Sequence, residues 1–196
     1  MPLPRSSLAA CLAGLAVLAA PAQAQTAGDW RIALGGGASR GNTDCVAAFA
    51  CDHSDSYLKG TLAWRAWNAL DLQLTRFNGA TFKGGNTTDR GTDFGGDFKV
   101  SGVGLLAAWR WSLAPQWTLD GRAGVARVRT NFAYAAPFAV NGSRRKGTTQ
   151  PMAGGSLGYA VAPAWRVSID LDVTRFEAYR SHGSLRMVGA AVEYTF

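Results

Sequence analysis

Apolar residues alternate with small or polar ones along most of the chain. The last stretch shows this most plainly. Val188, Ala190, Val192, Tyr194 and Phe196 share one face, and Gly189, Ala191, Glu193 and Thr195 share the other. A period of two is the strand period. Eight such segments can be placed. The first, about 29–39, sets Trp30, Ile32 and Leu34 against Arg31, Ala33 and Gly35. The second, about 56–66, sets Leu58, Leu62 and Trp64 against Lys59, Thr61 and Arg65. The third, about 69–78, sets Leu70, Leu72 and Leu74 against Asp71, Gln73 and Thr75. The fourth, about 98–111, sets Val103, Leu105 and Trp109 against Gly102, Gly104 and Arg110. The fifth and sixth, about 117–130 and 150–161, oppose Leu119 and Val125 to Asp120 and Arg122, then Leu157 and Tyr159 to Ser156 and Gly158. The seventh, about 165–176, opposes Val167, Ile169 and Leu171 to Arg166, Asp170 and Asp172. The eighth is about 184–196.

The connections alternate in length. Short turns fall near Trp67-Asn68, Ala114-Pro115-Gln116 and Ala162-Pro163-Ala164. Loops near 40–55, 79–97 and 131–149 are long and rich in Gly, Asn, Thr and Asp, and one near 177–183 is shorter. Ala69, Trp117 and Trp165 open strands at equal spacing, as a repeated two-strand unit would. Trp30, Trp67, Trp111, Trp117 and Trp165 all fall at the turn end. A membrane barrel turns its apolar face to lipid, keeps small and polar residues inside, and carries aromatic girdles at the interfaces. Strands of about ten residues, tilted as in such barrels, make a band about 25 Å tall. The pattern predicts an all-β fold: an eight-stranded antiparallel up-and-down transmembrane β-barrel. Its turns lie at the periplasmic rim and its loops at the extracellular rim. No stretch after the leader has the run of about 20 apolar residues that a transmembrane helix needs.

The leader is residues 1–24. Arg5 supplies the positive start, Leu8 to Ala20 the apolar run, and Ala22-Gln23-Ala24 a small-x-small cleavage site. The barrel domain is then 25–196. Cys11 lies in the leader, which leaves Cys45 and Cys51 in one loop of an exported chain. A disulfide between them is the natural reading in an oxidising compartment. His53 beside them completes a candidate metal set, but a disulfide would consume both thiols. The net charge of +7 and the pI of about 9.8 invite a nucleic-acid reading. The Lys and Arg are scattered at strand spacing, with no basic run beyond Arg144-Arg145-Lys146, so nucleic acid is not the expected partner. That run lies in a predicted loop, where docking to lipopolysaccharide phosphates is one reading and a solvated loop tip the other.

The chain resembles the eight-stranded outer-membrane barrel family that includes the OmpA transmembrane domain and its short relatives. The carriers are the leader, the stretch Trp117 to Arg127, the stretch Trp165 to Phe176, and the terminal Tyr194-Thr195-Phe196. The resemblance implies that Tyr194 and Phe196 form a C-terminal signal for the barrel-insertion machinery. Two-domain relatives continue into a peptidoglycan-binding domain, whereas this sequence stops at the barrel, so cell-wall anchoring is not implied.

An eight-stranded barrel is just wide enough to be filled by its own side chains. The inward set is Arg31, Lys59, Arg65, Arg110, Arg122 and Arg166 with Asp71, Asp120, Asp170, Asp172 and Glu193. Charges in so narrow a space need partners. The turns predict Arg65 opposite Asp71 and Arg110 opposite Asp120. Closure predicts Glu193 near Arg31, and Arg122 reaches toward Asp170 or Asp172. A salt-bridged plug is the favoured reading and a gated ion path the rival. A third reading is catalytic. His182-Gly183-Ser184, with Glu177 and Glu193 nearby, has the His-x-Ser spacing of outer-membrane lipid A deacylases. Leu185 stands where that class has an amide side chain, and His182 falls in a predicted loop. A lipocalin-like soluble binder is disfavoured, because the outward faces are more apolar than the inward ones. The expectation is a monomeric, non-catalytic barrel without cofactor. Its partners would be outer-membrane lipid and lipopolysaccharide, the insertion machinery, and an extracellular partner of its loops.

Overall fold

A computed structural model describes residues 29–42, 53–87, 93–134, 143–178 and 181–196. The leader, Cys45 and Cys51 lie outside these residues. Eight strands follow in order: β1 (Trp30–Gly41), β2 (Ser54–Trp67), β3 (Leu70–Thr87), β4 (Asp93–Ala114), β5 (Trp117–Tyr134), β6 (Ser143–Ala162), β7 (Trp165–Ala178) and β8 (Ser181–Thr195). Each pairs antiparallel with the next, and β1 pairs with β8, so the sheet closes into a barrel. Closure leaves no free edge, which a lipid environment demands of a sheet. No helix among the described residues is long and apolar enough to cross a membrane.

The turn rim is tight. Asn68 adopts a left-handed conformation (φ 37°) between β2 and β3, which an Asn side chain tolerates better than most. Pro115 and Pro163 occupy the other two hairpins, where a fixed φ suits a turn and no N–H is wasted. At the opposite rim the strands run well past the predicted limits. β3 and β4 stay paired out to Thr87 and Asp93, and β5 and β6 out to Ala133 and Ser143. Much of the predicted loops at 79–97 and 131–149 is therefore sheet. Arg144, Arg145 and Lys146 belong to β6, not to a loop tip, and His182 belongs to β8.

The outward face is apolar. Leu34 is 67% exposed and Leu58 is 72% exposed, with Ile169, Leu171, Val188 and Val192 in the same band. In water such a surface would drive association; in a bilayer it is the lipid contact. All seven tryptophans lie outward near the turn rim and are exposed, Trp64 and Trp109 included. Trp117 packs on Tyr159, and Trp165 on Tyr194, with ring centroids 5.1 and 4.8 Å apart.

Candidate functional site

The interior is the place where side chains from all eight strands converge, and it has two levels. The level near the turns is ionic. Asp120 accepts from Arg110 Nε at 2.7 Å, Arg166 Nη2 at 2.8 Å and Ser156 Oγ at 3.0 Å. Arg110 also donates to Glu193 at 3.1 Å, and Arg166 lies 3.6 Å from the same carboxylate. Arg31 pairs with both Asp71 and Glu193. Arg65 bridges Asp71 and the backbone carbonyl of Asn68. A second ionic group lies deeper. Lys59 donates to Asp170 at 2.7 Å and to Asp172 at 2.6 Å, and Arg122 Nε donates to Asp172 at 2.7 Å. Arg110 on β4 and Glu193 on β8 come from opposite walls, and Lys59 on β2 reaches β7, whereas Arg65 stays with its hairpin neighbour.

Glycines on β6 make room for these long side chains. A Cβ on Gly158 would collide with the Arg166 guanidinium, and one on Gly154 with the Asp172 carboxylate. The strand is thin here because its neighbours' charged side chains lie across it.

The level near the loops is apolar, which the sequence reading did not assign. Phe77, Phe82, Phe98, Phe132 and Phe176 are buried together with Val100, Leu106, Val128, Met152, Leu185 and Met187. Phe98 and Phe132 touch at a centroid distance of 4.5 Å. Phe82 on β3 and Phe176 on β7 stack at 6.5 Å and 18°. In an eight-stranded barrel those two strands face each other, so their rings meet across the lumen. The described side chains thus fill the barrel by ion pairs below and by aromatic packing above.

The chemistry proposed for His182 and Ser184 can now be placed. Both lie outward on β8, and Glu177 stands opposite His182 in register. His182 Nδ1 is 3.9 Å from Glu177 Oε1, too far for a hydrogen bond. Glu177 instead accepts from Gln150 at 2.9 Å and pairs with Lys146 at 3.0 Å. The Lys146 ammonium holds the Glu177 carboxyl below its usual range. No hydrogen bond joins Ser184 to His182 among the described residues, so neither the nucleophile–base link nor the base–carboxylate link of a triad is made. We expect Ser184→Ala to leave lipid A of expressing cells unchanged in mass relative to wild type. A deacylated species that disappears in the variant would establish a hydrolase. No cluster of three metal-ligating side chains occurs among the described residues.

This architecture is that of the transmembrane β-barrels of bacterial outer membranes, and solved structures of that class match it. Neisserial surface protein A superimposes with a TM-score of 0.62 at 12% identity, covering 87% of this chain and 98% of that one. The outer membrane protein OprG of Pseudomonas aeruginosa gives 0.57 at 12% identity, covering 88% and 97%. Ail, the attachment invasion locus protein of Yersinia pestis, in complex with the heparin analogue sucrose octasulfate, gives 0.52 at 18% identity, covering 86% and 100%. These likenesses fix the fold. No protein-family model and no curated protein matches the sequence.

Proposed function

We propose that the protein is a monomeric outer-membrane barrel with a structural and surface-presenting role and no catalytic activity. It is exported by the 1–24 leader and inserted through recognition of Tyr194 and Phe196. It stabilises the envelope and displays its loops to an extracellular partner, with Cys45 and Cys51 stapling the first loop. The observation that carries this reading is the stacking of Phe82 on Phe176 above the ion-pair network. A barrel filled at both levels favours a scaffold over a conduit. Binding of a heparin analogue belongs to Ail; for this chain, contact between the loop rim and anionic surface sugars or lipopolysaccharide is part of the proposal.

Cell fractionation and gel mobility test the membrane assignment. The mature chain is expected in the outer membrane and to migrate differently before and after boiling. A soluble periplasmic chain with unchanged mobility would overturn it. Planar bilayers test the scaffold reading. Purified wild-type protein is expected to leave the bilayer at baseline conductance. Reproducible conductance steps would favour a small pore instead.

A further inference from the structure

Arg40 and Arg186 stand directly opposite each other across the seam between β1 and β8. Both are exposed and point outward, because Ser39, Leu185 and Met187 beside them are buried. Residues so paired have Cβ atoms about 4.5–5.5 Å apart, and like charges there repel. Arg175 on β7 adds a third guanidinium. It is opposite Ser184, two residues from Arg186, which is a diagonal neighbour about 7–8 Å away. Arg175 is also exposed and outward, between buried Thr174 and Phe176.

No acidic side chain pairs with these three among the described residues. Two carboxylates at the same rim are engaged elsewhere. Glu177 serves Lys146 and Gln150, and Asp55 accepts from the backbone N–H groups of Ser56 and Thr81. Three mutually repelling cations converging on one seam, with no counter-charge among the described residues, call for an external anion.

Their position says which anion. Val173 and Val188 lie just turnward of Arg175 and Arg186, outward and exposed. The guanidiniums therefore sit at the edge of the apolar band, at the rim opposite the tryptophans. At that depth an outward Arg costs little, whereas at the midplane it would cost about 2–4 kcal/mol. Turnward of Arg40 on the same face lie Ala38, paired with Val188, and Gly36, paired with Ala190; of these only Val188 carries a side chain beyond Cβ. A headgroup phosphate on the guanidiniums would leave its acyl chain over this low part of the wall. Arg76, Lys99, Arg127, Arg129 and Arg145 extend the positive rim on the far arc, but Val103 separates Arg76 from Arg127, and Arg127 already donates to Thr149.

We propose that Arg40, Arg175 and Arg186 form a binding site for a phosphate of a phosphorylated, multiply acylated glycolipid in the leaflet at the loop rim. The proposal rests on the reading of the chain as an outer-membrane barrel. Guanidinium forks match phosphate oxygens bidentately, so the recognition is one of geometry as well as charge.

The test uses the mature chain folded into phosphatidylcholine nanodiscs containing a small fraction of bisphosphorylated lipid A. Lipid A retained per barrel after extensive washing is measured by mass spectrometry. Wild type is expected to retain it, and dephosphorylated lipid A is expected to be lost. The Arg40→Gln/Arg175→Gln/Arg186→Gln variant should retain roughly tenfold less, the scale of losing a charge-assisted hydrogen bond. Arg76→Gln/Arg127→Gln should retain a wild-type amount. Inorganic phosphate, added as a competitor, should displace little, because it lacks the acyl chains. Equal retention by the triple variant, or of the dephosphorylated lipid, would overturn the site. Each variant is first shown to be folded by its heat-shifted gel band. Absence of that band from wild type would instead overturn the barrel reading on which the site depends.

Discussion

Asp120→Asn is expected to lower the stability of the inserted barrel by about 3–5 kcal/mol, the cost of stranding buried charge by removing its partner. Asp120 receives Arg110, Arg166 and Ser156 at once, so one substitution leaves two guanidiniums without their main acceptor. Asn keeps the volume and one carbonyl oxygen, but its NH₂ group turns a donor toward donors. Glu193 compensates in part, since it also contacts both arginines. It already serves Arg31, so it is shared three ways in the variant. The measurement is urea unfolding in lipid vesicles, read as a fall in midpoint at constant slope. Asp97→Asn, on an exposed outward side chain, is the control and should stay within about 0.5 kcal/mol of wild type. An Asp120→Asn midpoint equal to the control's would mean that the network fills space without holding the walls together.

Much of this lower level was legible in the sequence. Alternation fixed which face each strand turns inward, and hairpin symmetry placed Arg65 by Asp71 and Arg110 by Asp120; both pairs stand in register. The seam gives Arg31 and Glu193 within 3.4 Å. Alternation turns Lys59 inward without naming its partner, and only the closed barrel brings β2 across to Asp170 and Asp172 on β7. Cross-lumen neighbours are set by the shear of the closed sheet, which no single strand records.

The aromatic level was missed for two physical reasons. Gly84, Gly85, Asn86 and Thr87 have turn-like composition, yet they remain paired because Gly95 and Gly96 on β4 lie opposite and the sheet continues. Composition reads local preference; the ladder is a tertiary fact. The second reason is a register shift between Phe77 and Ala80. Phe77 and Phe82 differ in parity, yet both are buried. A bulge moves the inward set by one residue, so strict alternation would have sent Phe82 to lipid. Phe176 carried a usable signal: it shares parity with Asp170, Asp172 and Thr174, and all four are buried.

Two independent closures make a prediction that neither makes alone. Phe82→Ala/Phe176→Ala removes the rings that meet across the upper lumen, but the Lys59, Arg122, Asp170 and Asp172 group still fills the barrel below. Lys59→Ala/Asp172→Ala removes part of that group and leaves the rings in place. Either pair alone is expected to hold a planar bilayer at baseline. The four substitutions together should give conductance steps, because both levels are then thinned along the same β3–β7 and β2–β7 faces of the lumen. Truncating a buried Phe costs about 3–5 kcal/mol, so each variant is first checked for a heat-shifted gel band. The opened path should prefer anions. With Lys59 and Asp172 gone, Arg31, Arg65, Arg110, Arg122 and Arg166 face Asp71, Asp120, Asp170 and Glu193, an excess of one positive charge in the named set. Reversal potentials in a salt gradient read that preference directly. Conductance from the Phe variant alone would show that the ionic level is already permeable and that the aromatic rings are the only gate. Silence from all four substitutions together would show that the walls collapse onto the vacated space, making the barrel a scaffold whose bore depends on no single layer.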